Sequence, residues 1–236
     1  MIKTGIVSAI IMFIPCILFA KDAACSDERM HLLSVNEFNL RKHITSWIEL
    51  RDRGLVRQAY DYSCGASSLS TILEYFFNED IDEKEILDVI LKFKGIDNKE
   101  NLEDKDFRLS FHDFEEFARL KGYKAIGLAL PIESLKQLKI PAIVFIKIRR
   151  REHFSVYKGM DKQFVYLADP SFGNIKVRMS KFDEMFATRK DDKHPGKILV
   201  FVPLDKAKDG QINKEFLDIP EGSWFVYRVI NMKMWR

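Results

Sequence analysis

Net charge, cysteine and long apolar runs are all scarce in this sequence, and each scarcity closes off a class of function. The 38 basic and 35 acidic residues leave a formal charge of only +3. A nucleic-acid surface needs basic residues gathered on one face, so no nucleic-acid partner is expected. The one dense basic run, Lys147 to Arg151, is short and interrupted by Ile148; it reads as a solvated strand end. No GxxxxGK phosphate loop occurs, so no ATP site is expected in this chain. The five histidines lack metal-ligand spacing such as HExxH, and neither a metal nor another cofactor is expected. There is no internal repeat and no low-complexity segment. Beyond residue 20 no stretch is apolar for the roughly 20 residues that cross a bilayer.

The N-terminus carries the first positive signal. Lys3 precedes an apolar stretch from Ile6 to Phe19, which ends at Ala20 before the charged pair Lys21–Asp22. A basic start, a short apolar region and a small residue at the break describe a secretory signal peptide over residues 1–20. Counted from Gly5 to Ala20 the stretch has 16 residues, short for a spanning helix. Cleavage after Ala20 is expected, which makes the chain exported, to the periplasm or beyond. The alternative is an uncleaved signal, which would hold the protein at the membrane. Asp22 argues against acylation of Cys25, because a lipoprotein signal has an apolar residue there. Removal of the signal takes away Cys16 and leaves Cys25 and Cys64. In an oxidising compartment two cysteines raise the prospect of a disulfide, which is the rival reading of Cys64.

The full chain is 47% hydrophobic and 31% charged, enough apolar material for a core. Its 19 phenylalanines belong mostly there. Residues 21–54 look like a lead-in with a short helix from Asn36 to Leu50. From Ser63 the positions Leu69, Ile72, Leu73, Phe76 and Phe77 form one helical stripe. A second helix is predicted from Asp82 to Phe93, with Asp82 and Glu85 at capping spacing. After a charged loop over 94–109, a third helix runs from Ser110 to Lys121 and stops at Gly122. Pro131 opens a fourth, through Leu138. Then the character changes: Ala142–Ile148, Phe154–Tyr157, Phe164–Leu167, Ile175–Val177 and Lys197–Val202 read as strands between turn signals. Helices first and strands afterwards predict an α+β domain, N-terminal helices packed on an antiparallel sheet. The apolar tail over 206–236 is expected to pack on that body.

Cys64 opens the first strong helix, in Asp61–Tyr62–Ser63–Cys64–Gly65–Ala66–Ser67. A thiolate there faces unpaired backbone amides and the positive end of the helix dipole, which stabilise negative charge. Gly65 and Ala66 have little side chain, which would let a substrate carbonyl approach the sulfur. Gln58, six residues upstream, is close enough to aim its amide at the oxygen that meets the Cys64 N–H, as an oxyanion hole requires. A base must be an imidazole. His31 and His43 fall in the lead-in, His112 on a charged helix start and His194 before a Pro–Gly turn; all four read as surface residues. His153 stands on a strand, where rigid backbone can hold it. Asp169 ends the next strand, before Pro170. Antiparallel pairing of those strands would set it beside His153, to fix the ring tautomer; alone it would read as a turn aspartate.

Gln58, Cys64–Gly65–Ala66, the Pro141–Ala142–Ile143 strand, His153–Phe154 and Asp169–Pro170 together resemble the double-glycine-leader, bacteriocin-processing cysteine peptidases. The resemblance spans about residues 55–205. It implies a papain-like fold, with Cys64 as nucleophile, His153 as base, Asp169 as its orienting partner and Gln58 as oxyanion donor. The partner it implies is a peptide or protein substrate, cut after a Gly–Gly-type leader. Many members are domains of ATP-driven peptide exporters, a setting this chain departs from. Two other readings remain open. One is a non-catalytic peptide-binding or envelope or pilus assembly protein on the same scaffold, which a Cys25–Cys64 disulfide would favour. The other is a thiol amidase or transferase acting on the cell wall.

Overall fold

A computed structural model describes residues 30–35, 38–43, 46–96, 107–205, 211–218 and 228–229. The expected signal over 1–20, Cys25, and most of the C-terminal extension lie outside the described residues. The chain divides into two units, residues 1–44 and 45–236. The first contains an antiparallel hairpin of β1 (Met30–Val35) and β2 (Phe38–His43), with Val35 opposite Phe38. The helix expected from Asn36 to Leu50 is therefore corrected. Residues 38–43 are strand, and the helix, α1, is confined to Trp47–Asp52. Ser46 sets its start, closing a reciprocal capping box with Glu49.

In the second unit, α2 (Cys64–Tyr75) is followed by α3 (Glu83–Phe93) and α4 (Phe111–Leu120). Next come β3 (Tyr123–Leu130), the single turn α5 (Ile132–Leu135), β4 (Ala142–Ile148) and β5 (Arg151–Met160). Then follow β6 (Phe164–Asp169), β7 (Gly173–Arg178), α6 (Met179–Phe186), β8 (Gly196–Pro203) and the two-residue β9 (Arg228–Val229). The strands form one sheet in the order β3–β8–β4–β5–β6–β7–β9. The first five pairings are antiparallel, and β9 joins β7 in parallel at the edge. Caps act where the residue pattern asks for them: Asp82 accepts from Glu85 N at 2.7 Å, and Ser110 and Asp113 close a second capping box.

Both faces of the sheet are covered, which is why its central strands are apolar almost throughout. Ile143, Val156, Leu199 and Phe201 face a core built with α2, α3 and α4. Val144, Ile146, Val165, Leu167 and Ile198 face a second core with Phe182 and Phe186 of α6. In the second unit β3 and α6 are among the elements that escaped the sequence pattern. β3 is an edge strand, mostly exposed, so its alternation is weak. α6 has no side-chain cap bond at its start.

The predicted stripe on α2 turns out to be one side of a helix buried all round from Gly65 to Leu73. Three of its hydroxyls find backbone carbonyls, while Ser68 Oγ is buried with no hydrogen-bond partner. Ser67 Oγ donates to Ser63 O at 3.1 Å, Thr71 Oγ1 to Ser67 O at 2.8 Å and Ser70 Oγ to Ile81 O at 2.8 Å. At its far end Asn213 binds the backbone of Tyr75 and Phe76, and Phe216 enters the core beside Phe76.

Gly65 is needed for packing rather than for substrate approach. A Cβ there would stand 2.2 Å from Phe114 Cζ and 3.0 Å from Phe154 Cδ2. Both rings sit in the core. Gly65→Ala should thus overpack the start of α2 and destabilise the fold by about 1–3 kcal/mol. Urea unfolding followed by circular dichroism checks this; an unchanged midpoint would contradict it.

Candidate active site

Cys64 enters the site because α2 begins there. Its N-cap residue, Ser63, makes no side-chain bond to the helix; the hydroxyl turns back to the O and N of Tyr60, at 2.8 and 3.1 Å. The first-turn amides therefore keep their capacity for negative charge near the sulfur. Cys64 is a free, partly exposed thiol.

His153 comes from the early part of β5 and Asp169 from the last residue of β6. Pairing of Val156 with Ala168 sets the two strands side by side, and the side chains meet across them as diagonal neighbours. His153 Nε2 lies 2.9 Å from Asp169 Oδ2. Cys64 is near enough to the same imidazole to raise its pKa; with Nε2 taken by the carboxylate, Nδ1 is the nitrogen left for sulfur. The His153 side chain is 12% exposed, and Asp169 is wholly buried. Phe172 stands edge-on to the imidazole, ring centres 6.4 Å apart.

A buried carboxylate has to be satisfied, and the turn after β6 supplies the donors. Ser171 N and Phe172 N donate to Asp169 Oδ1 at 2.9 and 3.0 Å. The turn is itself braced by α1. Asn174 Nδ2 donates to Arg51 O and Arg53 O, and Arg57 Nη2 to Ser171 O at 2.6 Å. Gly173, at φ +86°, lies so close that a Cβ would be 2.5 Å from Arg51 Cγ. Glycine is required there on both counts.

Gln58 belongs to the same scaffold. Its N–H donates to Pro170 O at 3.2 Å, and its Oε1 accepts from Ser171 Oγ at 2.6 Å. The contact of the other end with the Tyr60 carbonyl, which can only accept, fixes which end of the amide carries nitrogen. Nε2 donates one hydrogen to Tyr60 O at 3.0 Å and has a second to give. Glu83, from the start of α3, accepts from Ala59 N through both carboxylate oxygens, at 3.2 and 3.1 Å. Ser171, Arg57 and Glu83 were not singled out from the sequence. Only Ser171 carried a signal, as the residue after Asp169–Pro170 in a turn.

Of the other histidines, His112 and His194 stand at the surface, 76% and 52% exposed, each beside a carboxylate. The side chains of His31 and His43 lie outside the described residues. Among the described residues, no group of three or more His, Cys, Asp or Glu could hold a metal.

Charge in the site is coupled. Burial works against a charged imidazole, but Asp169 and then Cys64, each through charge and hydrogen bonding, outweigh it and push His153 up to about 10. Burial would raise Asp169, yet the His153 charge and hydrogen bond and the Ser171 amide hold it below its usual value. An imidazole bonded to a buried carboxylate and standing beside a thiol can take up a proton and return it to a leaving group. Beside Cys64 opens a cleft of about 650 Å³, walled by Tyr62, Phe107, Phe145 and Phe154.

Three comparisons bear on this arrangement. The profile of the Peptidase C39 family matches residues 52–189. A probable functional amyloid protease FapD of Pseudomonas aeruginosa is 33% identical over 141 residues, 60% of each chain. Its namesake from Pseudomonas fluorescens is 31% identical over 141 residues, again 60% of each. The match thus spans less than two thirds of these relatives' length. Among solved structures, a double glycine motif protease from an AMS/PCAT transporter, in complex with its leader peptide, is 25% identical. It covers 65% of this chain and 95% of that one, with a TM-score of 0.48. The peptidase domain of Streptococcus ComA is 16% identical, covering 64% of this chain and 98% of its own, with a TM-score of 0.49.

Folding linkage supplies a test. Because its pKa rises from 6.5 to about 10, His153 contributes stability fully below 6.5 and loses it as pH climbs toward about 10. Asp169, lowered from 3.8, contributes above that value and loses it as pH falls through its depressed pKa. In an NMR titration the His153 ring should remain protonated through neutral pH. In Asp169→Asn, where burial is no longer opposed by the carboxylate, its pKa should drop back toward 6.5 or below. A wild-type ring that titrates near 6.5 would contradict the coupling.

Proposed function

We propose that this chain, which belongs to the Peptidase C39 family, is a cysteine peptidase acting through Cys64, His153, Asp169 and Gln58. The observation that carries the reading is the 2.9 Å contact of His153 Nε2 with buried Asp169, beside the free Cys64 thiol that acts on the same imidazole. The papain-like domain, helices on an antiparallel sheet, provides its frame.

In this mechanism the Cys64 thiolate attacks the peptide carbonyl carbon. The resulting oxyanion is met by the Cys64 N–H and the second hydrogen of Gln58 Nε2. The His153 imidazolium gives its proton from Nδ1 to the departing amine, and the carbon–nitrogen bond breaks to leave a thioester. Water, deprotonated by the now neutral His153, attacks the thioester and releases the acid and the thiolate. Asp169 holds the ring tautomer and favours the imidazolium throughout. Ser171 serves two parts at once, through its N–H to Asp169 and its hydroxyl to Gln58.

The finer reading is cleavage after a Gly–Gly-type leader in a peptide met outside the cytoplasm. It is supported by the motif resemblance and by the signal-like residues 1–20. Cys64 is a free thiol among the described residues, as this chemistry requires.

The test is hydrolysis of peptides with and without a Gly–Gly pair, followed by mass spectrometry. Cys64→Ala should abolish product. Gln58→Ala should lower kcat by about 10²–10³-fold, the usual cost of one oxyanion donor. Cleavage retained in Cys64→Ala would end the proposal. Equal cleavage of peptides with Gly–Gly replaced by Ala–Ala would remove the leader specificity alone.

A further inference from the structure

We propose that the β4–β5 turn and the strand ends beside it form a subsite for acidic side chains. The preferred substrates are then peptides that carry Asp or Glu near the bond Cys64 attacks. The inference rests on the peptidase reading and names its substrate class.

Successive rungs of the β4–β5 ladder carry the argument. Phe145 pairs with Phe154, then Ile146 with His153, then Lys147 with Glu152. Phe145, Phe154, Lys147 and Glu152 all line the cleft that contains Cys64, so its aromatic floor leads directly to a charged rim. Arg150 and Arg151, both exposed, continue that rim. Two carboxylates, Asp61 and Glu152, line the cleft against four cations, and Glu152 is engaged by Arg108 at 3.1 Å. The balance around the sulfur is therefore cationic. In a concave site with apolar walls such a field reaches further than on an open surface.

Backbone strain points the same way. Arg149 and Arg150 form the two-residue connection between β4 and β5, at φ 50° and 70°. Such turns favour Asn–Gly because both residues must be left-handed. Two arginines there are a local cost that turn chemistry does not explain, and strain of this kind collects at functional sites. As a solvated strand end the run Lys147–Arg151 would need only polarity; facing the cleft, it supplies donors matched to a carboxylate.

Two measurements separate this subsite from the peptidase reading. The first is alkylation of Cys64 by iodoacetate and by iodoacetamide, reagents of similar size with and without charge, at low salt. In Arg150→Gln/Arg151→Gln the iodoacetate rate should fall about three- to tenfold relative to iodoacetamide. Lys136→Gln, an exposed cation outside the cleft, should leave the ratio unchanged. The second is digestion of a proteome-derived peptide library, with cleavage sites read by mass spectrometry. Wild type should enrich Asp and Glu within a few residues of the cut, and the double variant should lose that enrichment. An alkylation ratio identical in wild type and the double variant overturns the subsite, as does cleavage without acidic enrichment. Anion-selective alkylation with no peptide cleaved by wild type would instead overturn the peptidase reading and leave the subsite standing.

Discussion

The bond between His153 and Asp169 is the contact around which the second unit's strand ends and loops are arranged. Both groups are charged at neutral pH and largely removed from water. Removing one partner of such a pair typically costs about 3–5 kcal/mol, because the other charge is left buried alone. The surroundings are built to keep it whole. Two backbone amides satisfy the far oxygen of Asp169, and the turn that carries them is held by Arg57, Asn174 and the close approach of Gly173 to α1.

That bracing also explains why Gln58 is where it is. The strand end that bears Asp169 and the loop that bears Gln58 share one support, with Ser171 touching both. Glu83 clamps the next residue of the loop from α3. A shift of the β6–β7 turn would therefore misplace the carboxylate and the side-chain amide together. Precision of about half an ångström is what such chemistry needs, and strands and helix ends hold it better than loops standing alone.

The cleft beside Cys64 is built from the same strands. Its walls are aromatic and its rim cationic, with the rim placed by the same β4–β5 ladder that carries His153. The strand that carries His153 and the cationic rim are thus set by one register. A slip of one residue in that pairing would turn His153 away from Asp169 and Phe154 out of the core.

The residues themselves determined a good deal. Periodicity marked α2, α3 and α4, and the β-branched run marked β4, because a sheet covered on both faces needs near-continuous apolar strands. A cysteine opening a helix, a histidine on a strand and an Asp–Pro at a strand end were visible as chemistry, and their spacing carried the family resemblance. The short helix read over Asn36–Leu50 gave way to β2 and α1, since local propensity there is weak and strand pairing overrides it. Gly65 looked like an opening for substrate; only the folded core revealed Phe114 and Phe154 against it. Ser171, Arg57 and Glu83 gained their roles through contacts 24 to 114 residues distant in sequence. Local pattern reports what a residue can do within its own element. Which partner it meets is decided when strands pair and helices pack across the sheet, and that information resides in the tertiary structure.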